Sequence, residues 1–264
     1  MAISSRWSIP RFGWCAVLVL VACLESEAFL DSTIISWITI VGQKGTIMRS
    51  RDGGFSWKYQ ESGTTETLNN VYFSSVRSGF IVGNNATLIV TTDAGLQWKS
   101  MDIGYESIAT LDLFGVHYFP PTQVITIVGE QGIFISSTDG GDNWVLSQLP
   151  ASCFLPQSTR CTANTSIGPS LGSKSLLSVK FFDSINGVVV GDSPNILITS
   201  DGGVTFDILT PIDTALYPQV TFAALAQDQV GNVVAVGSAG QAVYVNFSMR
   251  LESDAFACSF QCVA

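Results

Sequence analysis

Four aspartates recur in one setting along this chain. Asp52, Asp93, Asp139 and Asp201 each lie two residues after a Ser or Thr and two before a Gly, with an aromatic three positions further on. The copies run Ser50 to Trp57, Thr91 to Trp98, Ser137 to Trp144 and Thr199 to Phe206, at intervals of 41, 46 and 62 residues. Repeated carboxylates invite two chemistries, acid–base catalysis and oxygen coordination of a hard cation. One active site does not need four equivalent acids. A Ca²⁺ loop would want several carboxylates per copy, which only Asp139 with Asp142 approaches.

A turn fits better. The Asp carboxylate accepts backbone N–H bonds across a tight bend. Gly54, Gly95, Gly141 and Gly203 supply a positive φ without steric cost. Trp57, Trp98, Trp144 and Phe206 return the chain to a sheet and bury a large surface. The motif is therefore expected to be structural, with no catalytic, cofactor-binding or metal residue in it.

The remaining acids include Asp102, Glu106, Asp112 and Glu130, which could converge after folding into a paired-carboxylate hydrolase site, although their spacing does not require it. A sialidase-like site would need an arginine clamp. Beyond the N-terminal run only Arg49, Arg51, Arg77, Arg160 and Arg250 are available. His117, the single histidine, falls in a predicted strand and reads as packed.

The elements that position the motifs are short strands. In the second copy Val71-Tyr72-Phe73, Gly79 to Gly83 and Thr87 to Val90 precede the turn, and Trp98 opens a fourth segment. Such runs, rich in Val, Ile, Phe and Thr and punctuated by Gly and Asn, read as strands joined by hairpins. The pattern returns around the other motifs. A fifth unit, Val220-Thr221-Phe222, Val233 to Gly237 and Ala242 to Val245, lacks the motif and a clear fourth strand. Repeats of roughly 40–45 residues with four strands each are blades of a β-propeller. The expected fold is an all-β propeller of four-stranded antiparallel blades, about five repeats over 29–248. The first repeat would place its innermost strand near Leu30. Leu149 to Ser175, rich in Ser, Thr, Pro and Gly, is expected to be an inserted surface loop.

The chain has 264 residues, 12% charged and 47% hydrophobic, with a net charge of −9. It has no Lys/Arg cluster, so a nucleic-acid footprint is absent. Residues 1–28 are expected to be a signal peptide. Arg6 and Arg11 precede an apolar run from Phe12 to Leu24, and Ser26-Glu27-Ala28 offers a cleavage site. The run is short for a membrane span, and no later one is long enough, so no transmembrane segment is expected in the mature chain. The chain would be exported, either secreted or carried into a thylakoid lumen by a signal-dependent plastid route.

Cleavage would remove Cys15 and Cys23 and leave Cys153, Cys161, Cys258 and Cys262, an even number that suggests two disulfides. Local pairing, Cys153 with Cys161 and Cys258 with Cys262, is the simplest of three connectivities. The last two lie in a tail over 249–264. Asn85, Asn164 and Asn246 begin glycosylation sequons.

The motif resembles the Asp-box, or BNR repeat, of β-propellers in sialidases, sortilin-type receptors and xyloglucan-degrading hydrolases. The fuller pattern, Val71-Tyr72-Phe73 with Gly79 to Asn85, Thr91 to Gly95 and Trp98, and again Val179 to Phe206, resembles the photosystem II stability/assembly factor family. The resemblance covers about residues 34–245. It implies a non-enzymatic propeller in the thylakoid lumen that binds photosystem II subunits during assembly, without a cofactor. It also implies a basic partner-binding surface, for which only Arg49 and Arg51 lie close together. The alternatives are a secreted Asp-box glycoside hydrolase, sialidase- or xyloglucanase-like, and an extracellular binding module.

Overall fold

A computed structural model of the chain describes residues 19–23, 37–155, 158–165, 174–209, 220–227 and 232–245. They form five antiparallel sheets, each a blade laid down in chain order. Blade one holds β1 (Val19–Cys23), β2 (Trp37–Val41), β3 (Ile47–Ser50) and β4 (Lys58–Gln60). Blade two holds β5 (Leu68–Phe73), β6 (Gly79–Gly83), β7 (Leu88–Thr91) and β8 (Lys99–Ser100). Blade three holds β9 (Leu113–Phe119), β10 (Val124–Gly129), β11 (Ile133–Ser137) and β12 (Val145–Gln148). Then come β13 (Arg160–Thr162) and the strands of blade four, β14 (Leu176–Phe181), β15 (Gly187–Gly191), β16 (Ser193–Thr199) and β17 (Thr205–Leu209). Blade five has three strands, β18 (Phe222–Gln227), β19 (Val233–Gly237) and β20 (Ala242–Val245). The expected all-β propeller of about five repeats is what the chain forms.

The second strand of each middle blade is apolar without alternation, and its burial explains why. All residues of β6, β10 and β15 are buried, because blades cover both faces of the sheet. One face packs on the preceding blade and the other on the following one. Ile81 and Ile89 meet Val41 and Ile47 of blade one. On the opposite face Phe80, Val82 and Leu88 meet Ile127 and Ile135 of blade three. Val128 and Phe134 join Val189 and Leu197 of blade four, and Val188 and Val190 join Val233 and Ala235 of blade five. The core is thus four apolar seams.

A further repeated feature ties blades two to five to their own starts. After the glycine that ends the second strand, the next residue donates its N–H to the carbonyl just before the first strand. The pairs are Asn84 to Thr67, Glu130 to Asp112, Asp192 to Ser175 and Ser238 to Thr221, at 2.8, 2.9, 2.9 and 2.9 Å. A Cβ on Gly83, Gly129, Gly191 or Gly237 would lie within 2.4 Å of that carbonyl oxygen, so a side chain there would break the seam. Blade five keeps this signature although it has lost the Asp motif.

Two expectations need correction. The innermost strand of blade one is not near Leu30 but at Val19–Cys23, paired with β2 from Val19↔Val41 to Cys23↔Trp37. The first blade therefore begins inside the segment read as a leader, because an apolar β-branched run satisfies a strand as well as an export signal. The insertion at 149–175 is also more than a surface loop. Its residues 151–154 form a 3₁₀ turn, and β13 adds a fifth strand to the outer edge of blade four, pairing Arg160, Cys161 and Thr162 with Asp207, Phe206 and Thr205. The expected Cys153–Cys161 disulfide joins the turn to that strand. Cys258, Cys262, Asn246, Arg250, the tail at 249–264 and the cleavage site lie outside the described residues.

Candidate functional site

Each Asp motif folds into the same clamp at the turn from the third to the fourth strand. In the first, Ser50 Oγ donates to Asp52 Oδ1 at 2.8 Å and accepts the Gly54 N–H at 2.7 Å. Asp52 then accepts the Ser56 N–H at 2.8 Å and the Ser56 hydroxyl at 2.6 Å. Thr91 and Asp93 repeat this toward Gly95, Leu96 and Gln97. Ser137 and Asp139 do so toward Gly141 and Asn143, and Thr199 and Asp201 toward Gly203, Val204 and Thr205. Two successive residues take positive φ in every copy, Gly53-Gly54, Ala94-Gly95, Gly140-Gly141 and Gly202-Gly203.

Electrostatics agree with a structural role. Hydrogen bonds from the Ser56 side chain, the Ser56 N–H and Ser50 lower the Asp52 pKa to about 2. Bonds from Asn143 backbone and side chain do the same for Asp139, to about 2. Asp93 is lowered by the Gln97 N–H and Thr91. For Asp201 partial burial opposes ionisation, and bonds from Thr205 and Thr199 outweigh it, so its pKa is lowered as well. Carboxylates held ionised by three or four local donors are poor general acids. The closing aromatics are less uniform than expected: Trp98 and Phe206 are buried, whereas Trp57 and Trp144 are half-exposed.

The four acids considered for a hydrolase do not assemble. Asp112 and Glu130 are neighbours, but each serves the backbone: Glu130 Oε2 accepts the Asp112 N–H at 3.1 Å and Asp112 Oδ1 accepts the Asn85 N–H at 3.2 Å. Asp102 caps its own turn through the Gly104 N–H at 2.8 Å, and Glu106 opens a 3₁₀ turn. Among the described residues no hydrogen bond joins Asp102 or Glu106 to the other two, and no group of three or more His, Cys, Asp or Glu is arranged to hold a metal ion.

Equivalent positions on three innermost strands bring Tyr72, His117 and Lys180 together. The Tyr72 and His117 rings lie 4.9 Å apart, and Lys180 Nζ is 5.9 Å from the Tyr72 ring. His117 is buried, and its Nδ1 accepts the Phe181 N–H at 3.4 Å. Burial, with a smaller contribution from the Lys180 charge, lowers its pKa to about 3. The expected packed histidine is what the fold contains.

A basic–aromatic cluster occupies blade one. The Arg49 guanidinium sits 4.2 Å above the Trp37 ring, and that of Arg51 lies 5.6 Å from the same ring. Arg49 is buried, and both its Nη atoms lack a hydrogen-bond partner. Desolvation and the charge of Arg51 lower its pKa, while the charge of Asp93 opposes that. Phe55, 94% exposed in the adjoining turn, and Tyr59 on β4 add aromatic surface nearby in the chain. The sequence sets Arg49 near Arg51 but not near Trp37, because the partner strand is set by the fold.

Of the sequons, Asn85 and Asn164 are exposed. Asn85 holds a left-handed φ of 52° and donates its Nδ2 to Glu66 at 2.9 Å. Among the described residues no helix is long and apolar enough to cross a membrane.

Comparison with known proteins follows the repeats. Residues 56–173 match the family model described as photosynthesis system II assembly factor YCF48. The resemblance drawn from the motifs thus stands. Among solved structures, YCF48 from Cyanidioschyzon merolae is similar at a TM-score of 0.50 and 19% identity, covering 75% of this chain. The chain spans 57% of that relative's length. A structure of YCF48 bound to D1 peptide aligns over 79% of this chain and 74% of its own, at TM-score 0.41 and 19% identity. An ancestral GH74 enzyme aligns at TM-score 0.56 and 12% identity over 86% of this chain, but over 29% of its own length. At these identities the likenesses with TM-scores of 0.50 and 0.56 show the fold alone. No curated protein matches the chain.

Proposed function

We propose that this chain is a non-catalytic propeller that binds a protein partner during photosystem II assembly. The observation that carries the reading is the match of residues 56–173 to the YCF48 assembly-factor family. The site geometry supports it: the repeated carboxylates are engaged in turns, and the candidate hydrolase acids serve backbone N–H groups. The partner surface in this reading is the Trp37, Arg49, Arg51 cluster. Buried guanidinium nitrogens without acceptors suit a carboxylate-bearing peptide, since Arg pairs carboxylates in two-pronged fashion. A lumenal location belongs to the same proposal.

The D1 peptide named with one YCF48 structure is a suitable probe. Calorimetry should detect its binding to the purified chain, and Arg51→Glu should weaken it at least tenfold. A fusion protein that stays outside the plastid would overturn the assembly reading. So would turnover of aryl glycosides that Glu130→Gln abolishes.

A further inference from the structure

Consecutive blades pack face to face, and the packing stops at the ends. Strand contacts join blades one and two, two and three, three and four, and four and five, yet no strand of blade five packs on blade one in this way among the described residues. The apolar seams obey the same limit. The arc therefore leaves one forward face on blade five and one backward face on blade one.

The register identifies the residues on those faces. Val188 and Val190 form the forward face of blade four, fully buried against blade five. Val188↔Ile198 corresponds to Val234↔Tyr244, and Gly191 to Gly237, so Val234 and Val236 are their equivalents on blade five. Val234 is half-exposed and Val236 is 42% exposed. At the other end, Ile40↔Met48 corresponds to Ile81↔Ile89, and Trp57 to Trp98. The blade-two residues are buried against blade one. Ile40, Met48 and Trp57 are half-exposed.

We propose that two copies of this chain associate head to tail, the forward face of blade five on one copy packing against the backward face of blade one on the other. The argument is continuity with the interfaces inside the molecule. Four times over, a forward face built from these positions is closed by a backward face built from those positions. Among the described residues one half of each kind is left without its counterpart, and a second copy carries the matching half. Such contacts are heterologous, and two of them can close a pair of arcs into a ring.

Sedimentation of the full chain over a range of concentrations tests this. The expected result is reversible self-association that Val236→Asp and Met48→Glu each weaken at least tenfold. An equimolar mixture of the two variants should regain dimers, because the intact forward face of Met48→Glu meets the intact backward face of Val236→Asp. Circular dichroism spectra should stay unchanged in both. If either variant fails to fold, Val234→Thr and Ile40→Thr pose the same question with smaller changes. A monomer at all concentrations, as when the arc closes on itself, overturns the proposal. Self-association that persists in each variant alone, as a like-to-like interface would, also overturns it.

Discussion

The Phe134 ring stands where a side chain on Gly203 would begin. A Cβ built on Gly203, whose φ is 95°, falls 2.4 Å from Phe134 Cε1 and Cζ. Phe134 is buried between blades three and four and packs edge-on to Phe206 at 5.6 Å. The turn glycine of blade four is thus fixed both by its own backbone and by the preceding blade.

Gly203→Ala should therefore combine left-handed strain with overpacking. The expected loss is about 2–4 kcal/mol, read from denaturant unfolding. Gly53→Ala is the control. Its φ is 69° with open space around the added carbon, so only the backbone cost of about 1 kcal/mol applies. Equal losses at the two positions would refute the packing argument.

The disulfide-bound strap should matter to blades three and four together. Cys153 is fully buried, β13 covers β17, and Gln148 and Asn164 exchange backbone bonds at 2.7 and 2.8 Å. The bridge closes a sequence separation of 8 residues, which in the chain-entropy account corresponds to about 2.5 kcal/mol. Cys161→Ser should lower Tm and raise amide exchange in β13 and β17, while exchange in β6 and β7 stays unchanged. Peptide mapping without reductant should recover the linked pair.

Much of this was legible beforehand, and the rest was not for identifiable reasons. Asp52 and its equivalents could be assigned because every bond they make lies within four residues. The strands of blades two to four carry period and composition together. The edge position of β13 was hidden because its pairing with Asp207 and Phe206 spans a gap that no local rule reads. Val19–Cys23 was misplaced because its apolar residues suit two fates equally. Trp37 was missed since its arginine partners are set by strand pairing between β2 and β3.

Burial of His117 predicts a pH slope. Its pKa falls from 6.5 when unfolded to about 3 when folded. The unfolded chain therefore takes up a proton below pH 6.5 that the folded chain refuses, so stability is complete above that pH and declines as pH falls toward 3. Between pH 7 and 5 the loss should be about 2 kcal/mol. His117→Gln, which can still accept the Phe181 N–H, should remove most of that slope in unfolding curves. A slope that stays the same would show that other groups carry it.

The motif carboxylates act at a lower window. Depressed pKa values for Asp52 and Asp139 mean that their contribution is present above about pH 4 and fades as pH falls through about 2. Asp201→Ala removes the acceptor for two N–H groups and the Thr205 hydroxyl, and should cost about 1 kcal/mol at neutral pH. Asp201→Ala should also flatten the acid end of the stability curve. Unaltered acid unfolding would argue against the clamp.

The seams between blades have a consequence for how such a chain can change over time. Blades two to five each close their own start through the glycine–carbonyl contact, and each blade packs on the sheets next to it in the chain. Removing or duplicating one whole blade would bring together two faces that already match, with no rearrangement elsewhere. A change of half a blade would leave a seam with two faces of the same kind. The blade, cut just before its innermost strand, is the smallest length of sequence that this architecture can gain or lose and still fold.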